Sequence, residues 1–164
     1  MTPSEKTFPG LDNIILGDVL DVLPRIPPES VHLIITSPPY NLGTAYGTYD
    51  DRVSREEYLD WTETWTQAVA GVLKENGSFF LNIGGKPKDP WGPFEVLLRV
   101  RKTFKLQNVI HWIKSIAIEK DDVGNYPGIT RDVSVGHYKP INSKRFLNDC
   151  HEYIFHLTKT GNVP

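Results

Sequence analysis

The chain has 164 residues, 39% hydrophobic and 23% charged, with a formal net charge of −2. That describes one globular domain, large enough to bury on the order of two-thirds of its unfolded surface. The single Cys150 excludes an intramolecular disulfide and a cysteine-cluster zinc site, and no apolar run approaches the roughly 20 residues that span a bilayer. A near-zero net charge leaves nucleic acid open as a partner, since binding needs only a local basic patch.

Residues 1–10 lack the apolar core of a secretion signal, so the expected compartment is cytoplasmic. Ile14-Ile15-Leu16 reads as a buried strand that ends at Gly17-Asp18, with a carboxylate at the tip. Val19 to Ile26 carries enough apolar positions for a short helix, closed by Pro27-Pro28. Val31 to Ile35 is a second buried strand, so the first 35 residues describe a βαβ unit with parallel strands. Ligands of open parallel sheets sit outside the carboxyl ends of the strands, which puts Asp18 and Ser37 to Tyr40 on one rim.

Thr36-Ser37-Pro38-Pro39-Tyr40 is an unusual end for a strand. Two prolines fix φ and remove two backbone donors, so pairing stops and the carbonyls of Ser37 and Pro38 are free to accept. Tyr40 adds a flat apolar face with a polar tip. Rigid acceptors beside an aromatic plate suit a planar ligand with an amino group; a Pro-Pro turn with a packed tyrosine is the alternative these five residues leave open.

Asn41 to Arg52 has no periodicity and reads as a loop near the site. Ser54 and Glu57 form a capping box, and Tyr58, Trp61, Trp65, Ala68, Val69, Val72 and Leu73 make one apolar helical face, stopped by Asn76-Gly77. Ser78 to Ile83 is a third buried strand, ending at Gly84-Gly85 where a ligand could approach the backbone. Pro93 starts a third helix, amphipathic through Phe94, Leu97, Leu98, Arg101 and Phe104. Leu106 to Ile113 and His151 to Thr158 alternate as strands, the latter with Tyr153, Phe155 and Leu157 on one face. Lys114 to Cys150 lacks periodicity and is long for a connector, which suggests a functional loop. Basic residues and aromatics interleave there, and Lys139 to Arg145 is cleanly basic, as contacts to a nucleic-acid backbone require. The histidines have no metal-ligand spacing.

Four stretches in this order carry a resemblance: Leu16-Gly17-Asp18, Thr36 to Tyr40, Leu73-Lys74-Glu75-Asn76-Gly77-Ser78-Phe79, and His151 to Lys159. The chain from about Asn13 to Lys159 resembles the amino-methylating DNA methyltransferases, the S-adenosylmethionine enzymes that modify cytosine N4 or adenine N6. Ser-Pro-Pro-Tyr, with serine first, looks like the N4-cytosine branch. The resemblance implies an α/β fold: an incomplete, Rossmann-like S-adenosylmethionine-dependent methyltransferase sheet with an antiparallel strand pair at its C-terminal end, residues 1–164 forming a single partial catalytic domain. It implies catalysis by Ser37, Pro38, Pro39 and Tyr40, cofactor binding by Asp18, Val19 and Ser37, and DNA contact by Lys139, Lys144 and Arg145, with no metal. Glu152 and Tyr153 would support the base pocket. The expected partner is double-stranded DNA and the setting a restriction-modification system. No thiolate chemistry is expected of Cys150.

The glycine-rich Phe-x-Gly-x-Gly motif of the family is absent. The resemblance therefore also implies a C-terminal region or second polypeptide that carries it, filling two strands between the one ending at Asp18 and the one ending at Ser37. Adenine N6 methylation and a non-catalytic DNA- or cofactor-binding half are the alternatives; an RNA or protein-glutamine methyltransferase fits less well, because too little chain precedes Ser37 for its cofactor glycines.

Overall fold

The computed structural model describes residues 12–47, 49–86, 89–114, 116–123, 130–135, 144–145 and 151–161. A four-stranded sheet in the order β1-β2-β6-β3 is its frame, built from β1 (Val31–Thr36), β2 (Leu73–Ile83), β3 (Lys105–Ile113) and β6 (His151–Thr158). β1 and β2 are parallel, while β6 is antiparallel to both β2 and β3. The expected antiparallel pair is thus β3 and β6.

The crossover between β1 and β2 is α2 (Arg55–Val72). Ser54 Oγ accepts from the Glu57 N–H at 3.2 Å, and Glu56 and Glu57 place negative charge at the positive end of the helix. Tyr58, Leu59, Thr62, Trp65, Thr66, Val69 and Val72 recur at three- and four-residue spacing and are buried against the sheet. There they meet Phe79, Leu81 and Ile83 of β2 and Phe155 and Leu157 of β6. Full burial of each such side chain stabilises by about 1.5–3 kcal/mol. α3 (Gly92–Val100) packs beside α2. Arg99 reaches Glu56, Asp60 and Glu63 of α2, and Lys102 also pairs with Glu63.

Five expectations are corrected. Ile14–Leu16 is not a buried strand: it has no ladder partner among the described residues, and Ile14 and Leu16 are fully exposed at 102% and 100%. An apolar run becomes a strand only where another edge accepts its hydrogen bonds, and the βαβ unit is β1-α2-β2 instead. The helix before β1 is shorter than Val19 to Ile26, being α1 (Val19–Val22) followed by a 3-10 turn at Leu23–Arg25.

α2 ends at Val72 rather than at Asn76-Gly77, and β2 starts at Leu73. The register jumps from Val31↔Leu73 to Leu33↔Ser78, so Lys74 to Gly77 form a bulge. A Cβ on Gly77 would lie 2.8 Å from a Leu73 methyl, so the turn read at Asn76-Gly77 is real but sits inside the strand.

The buried stripe of α3 is Pro93, Val96 and Val100, whereas Phe94 and Leu98 are exposed and Phe104 lies beyond the helix end. With apolar residues on two sides, the spacing could not choose between faces. Finally, the segment after Lys114 is not structureless. It holds β4 (Ile116–Ile118) paired antiparallel with β5 (Val133–Val135), and one helical turn, α4 (Lys120–Val123).

α2 and α3 lie on one face of the sheet. On the other face Leu33, Ile35, Ile110 and Trp112 are exposed, and His156 stacks on Phe80 at 4.5 Å. Among the described residues β1 is an edge strand with one side unpaired. No helix among the described residues is long and apolar enough to cross a membrane.

Candidate active site

The ends of β1 and β2 and the start of β6 meet at one place. β1 stops at Thr36, and Ser37 to Tyr40 leave the sheet. The Tyr58 hydroxyl on α2 donates to the Pro39 carbonyl at 2.8 Å, which ties the turn to the core helix and occupies that acceptor. No donor among the described residues reaches the Pro38 carbonyl. Ser37 Oγ lies 2.5 Å from the Tyr40 hydroxyl. The expected group Ser37, Pro38, Pro39 and Tyr40 is therefore assembled, with Pro39 tethered and Pro38 open.

Two residues join it from other strands. Asn82, near the end of β2, donates its amide N–H groups toward three acceptors: Glu152 Oε2 at 2.8 Å, the Tyr40 hydroxyl at 2.9 Å and Ser37 Oγ at 3.3 Å. Its Oδ1 is buried without a partner among the described residues. Glu152 Oε2 also lies 3.4 Å from the Tyr40 hydroxyl, and Oε1 pairs with Lys114 Nζ at 3.0 Å. Asn82 was not singled out from the sequence; its signal was a polar residue interrupting the apolar run of a buried strand, directly before Gly84-Gly85.

Burial, reinforced by the charge of Glu152 and opposed by the bond to Ser37, pushes the Tyr40 phenol up to about 12. Tyr40 is thus a neutral hydroxyl at physiological pH. Gly84 lets its ring in: a Cβ there would sit 2.9 Å from the Tyr40 ring and 3.3 Å from the Glu152 side chain. The close approach foreseen at Gly84 is made by protein.

The loop after Tyr40 closes on Asp51, which is 2% exposed. Its carboxylate accepts from the backbone N–H groups of Asn41, Leu42 and Thr44 at 2.8, 3.0 and 2.9 Å. Asn41 adopts φ +57°, which asparagine tolerates, and Gly43 φ +82°. Tyr49 returns the loop onto Trp61 at 5.5 Å between ring centroids.

Asp18 caps α1 by accepting from the Leu20 N–H at 2.8 Å and is exposed. Val19 lines a mostly apolar groove of about 490 Å³ that runs to Ser37, Pro38 and Pro39 between α1, the edge of β1 and α2. Lys144 and Arg145 are exposed, and Lys139 lies outside the described residues. Tyr153 packs in a ring cluster with Phe94, His111, His151 and Phe155 rather than on the Ser37 side.

The arrangement can do one thing well. It groups hydroxyl and carbonyl acceptors, backed by a carboxylate, at the carboxyl end of β1. Such groups stabilise positive charge developing on a bound nitrogen.

A DNA methylase family model matches residues 31–163. The type II methyltransferase M.MjaVI of Methanocaldococcus jannaschii is 47% identical over 70 residues, 43% of this chain and 35% of that one. The solved PvuII DNA methyltransferase (cytosine-N4-specific) superposes with a TM-score of 0.60 at 23% identity, over 90% of this chain and 49% of that one. TTHA0409 of Thermus thermophilus, solved in complex with S-adenosyl-L-methionine, superposes with a TM-score of 0.58 at 24% identity, over 91% and 56%. The chain thus spans between a third and just over half the length of these proteins.

Proposed function

The chain belongs to the DNA methylase family, and from that premise we propose that it is the catalytic portion of a DNA amino-methyltransferase of a restriction-modification system. Its substrate is the exocyclic amino group of a base flipped out of double-stranded DNA, cytosine N4 in the first instance. The observation that carries this reading is the convergence of Ser37, Tyr40, Asn82 and Glu152 beside the open Pro38 carbonyl.

An exocyclic amino nitrogen is a weak nucleophile because its lone pair is conjugated with the ring. Ser37 Oγ and the Pro38 carbonyl accept its two hydrogens, pull the nitrogen toward tetrahedral geometry and stabilise the charge that grows on it. The nitrogen must then lose a proton. Ser37 Oγ is 2.5 Å from the Tyr40 hydroxyl, which faces the Glu152 carboxylate, so a chain of hydrogen bonds leads from the pocket to an anion. Tyr40 serves that chain as a hydroxyl, and its ring stacks on the flipped base.

For the methyl donor S-adenosylmethionine, the groove from Val19 to Pro39 is apolar enough for an adenine ring, and Asp18 keeps a carboxylate oxygen free for an amino group. Asp18, Val19 and Ser37 would hold it, and it supplies a methyl group on a sulfonium sulfur. The described residues offer no comparable set for its ribose and carboxylate. Among the described residues, one face of the sheet exposes Leu33, Ile35, Ile110 and Trp112, and the outer edge of β1 is unpaired. We therefore include in the proposal a complementing region, a C-terminal continuation or a second polypeptide, that carries the glycine-rich motif. Lys139, Lys144 and Arg145 contact the DNA backbone.

The test is transfer of labelled methyl to mixed-sequence duplex DNA once the complementing region is supplied. Mass spectrometry of the nucleosides should return N4-methylcytosine; N6-methyladenine would move the reading to the adenine branch. Ser37→Ala should lower kcat by about 10²-fold with folding unchanged. A complemented protein that binds the cofactor yet methylates no DNA would leave only a binding role.

A further inference from the structure

Resting on the reading above, we infer that Lys114 is a positioning residue of this site, acting through Glu152 rather than on nucleic acid. By charge and position, at the head of the basic segment after β3, it reads as a phosphate contact. The structure turns it inward. Trp112 of β3 is directly opposite Glu152 of β6, so both side chains rise from one face of the sheet. Lys114, two residues on, returns to that face. Its Nζ stands 3.0 Å from Glu152 Oε1 and 3.8 Å from the centre of the Trp112 ring.

The two oxygens of Glu152 therefore have separate tasks. Oε1 takes the lysine, while Oε2 takes the Asn82 amide and faces the Tyr40 hydroxyl. The terminal torsion of a glutamate is broad, so a carboxylate held on one side only is free to turn. With the cation on Oε1 and an aromatic plate beneath that cation, Oε2 stays aimed at Asn82. Asn82 in turn reaches both Ser37 and Tyr40. Lys114 follows the last residue of β3, and Glu152 is the second residue of β6. The contact that sets the pocket thus also joins the two stems of residues 115–150.

Lys114→Met keeps the stem over Trp112 and removes the charge; Lys114→Arg keeps the charge. On the chain by itself, the Asn82 side-chain amide signals in ¹H–¹⁵N spectra, assigned by their loss in Asn82→Ser, report the clasp directly. Their exchange with solvent should accelerate by about tenfold or more in Lys114→Met and return toward wild type in Lys114→Arg. Unchanged exchange in Lys114→Met overturns the inference, and should that variant not fold, Lys114→Gln is read the same way. In the complemented enzyme, Lys114→Met should lower kcat about tenfold with KM for DNA within about twofold, and Lys114→Arg should restore it. Intact kcat with a raised KM and a salt slope smaller by about one would make Lys114 a phosphate contact instead. If wild-type protein transfers no methyl at all, the functional reading fails, while the amide exchange still decides the clasp.

Discussion

At the scale of single residues, the pocket is held by contacts too close to tolerate added atoms. Gly84 is the plainest case, because its neighbours are the Tyr40 ring and Glu152. Gly84→Ala should displace that ring at a cost of about 1–3 kcal/mol and reduce methyl transfer about tenfold or more, readable by urea unfolding and single-turnover kinetics. Tyr40 makes a second prediction, on pH. Its phenol is raised from its ordinary value of 10 to about 12, mainly by burial, so the folded protein keeps that proton where the unfolded chain has lost it. The contribution is fully present below pH 10 and is lost as pH rises toward 12. Stability measured across that window should fall more steeply in wild type than in Tyr40→Phe. Ser37 to Tyr40 were legible as acceptors and a ring because two prolines leave few other readings. Asn82 was not assembled with them and Glu152 was tied to them only through the resemblance, since both are distant in sequence and only strand pairing brings them within 3.4 Å.

At the scale of elements, α2 and the strands it joins were read nearly as they stand. The helix carries its own cap, and its period of 3.6 matches one buried face. Asp51 shows what periodicity does not report. It sits in a loop without pattern, yet three backbone N–H groups converge on it. Asp51→Ala leaves those donors unsatisfied and should destabilise by on the order of 3 kcal/mol, with methyl transfer lost through the loop beside Tyr40; urea denaturation and turnover together check it. The face of α3 was misjudged because apolar residues flank both sides of it. The structure chose Val96 and Val100, and Arg99 then falls toward the acidic residues of α2.

At the scale of the molecule, the described elements cover the sheet on one face and leave the other bare. Leu33 and Ile35 are 52% and 70% exposed, so Leu33→Glu with Ile35→Glu should leave the stability of the chain within about 0.5 kcal/mol. Leu81→Ala, from the covered face, should cost about 2–5 kcal/mol. If the bare face receives the complementing region, the double variant should still abolish complemented methyl transfer. Titration with that region, followed by activity, separates the two effects.

What the sequence determined by itself is what local chemistry decides: a capped amphipathic helix, apolar strands, and a strand end where prolines stop pairing and expose acceptors. Those features depend on residues within a few positions of one another. The tertiary structure alone decided which apolar runs become strands. Ile14 to Leu16 is as apolar as any strand here, but a strand exists only through the hydrogen bonds of a neighbour, and none of the described residues supplies one beside it. It also decided that Asn82 and Lys114 join Glu152 beside Ser37 and Tyr40, because strand order and register, not sequence distance, determine which side chains meet.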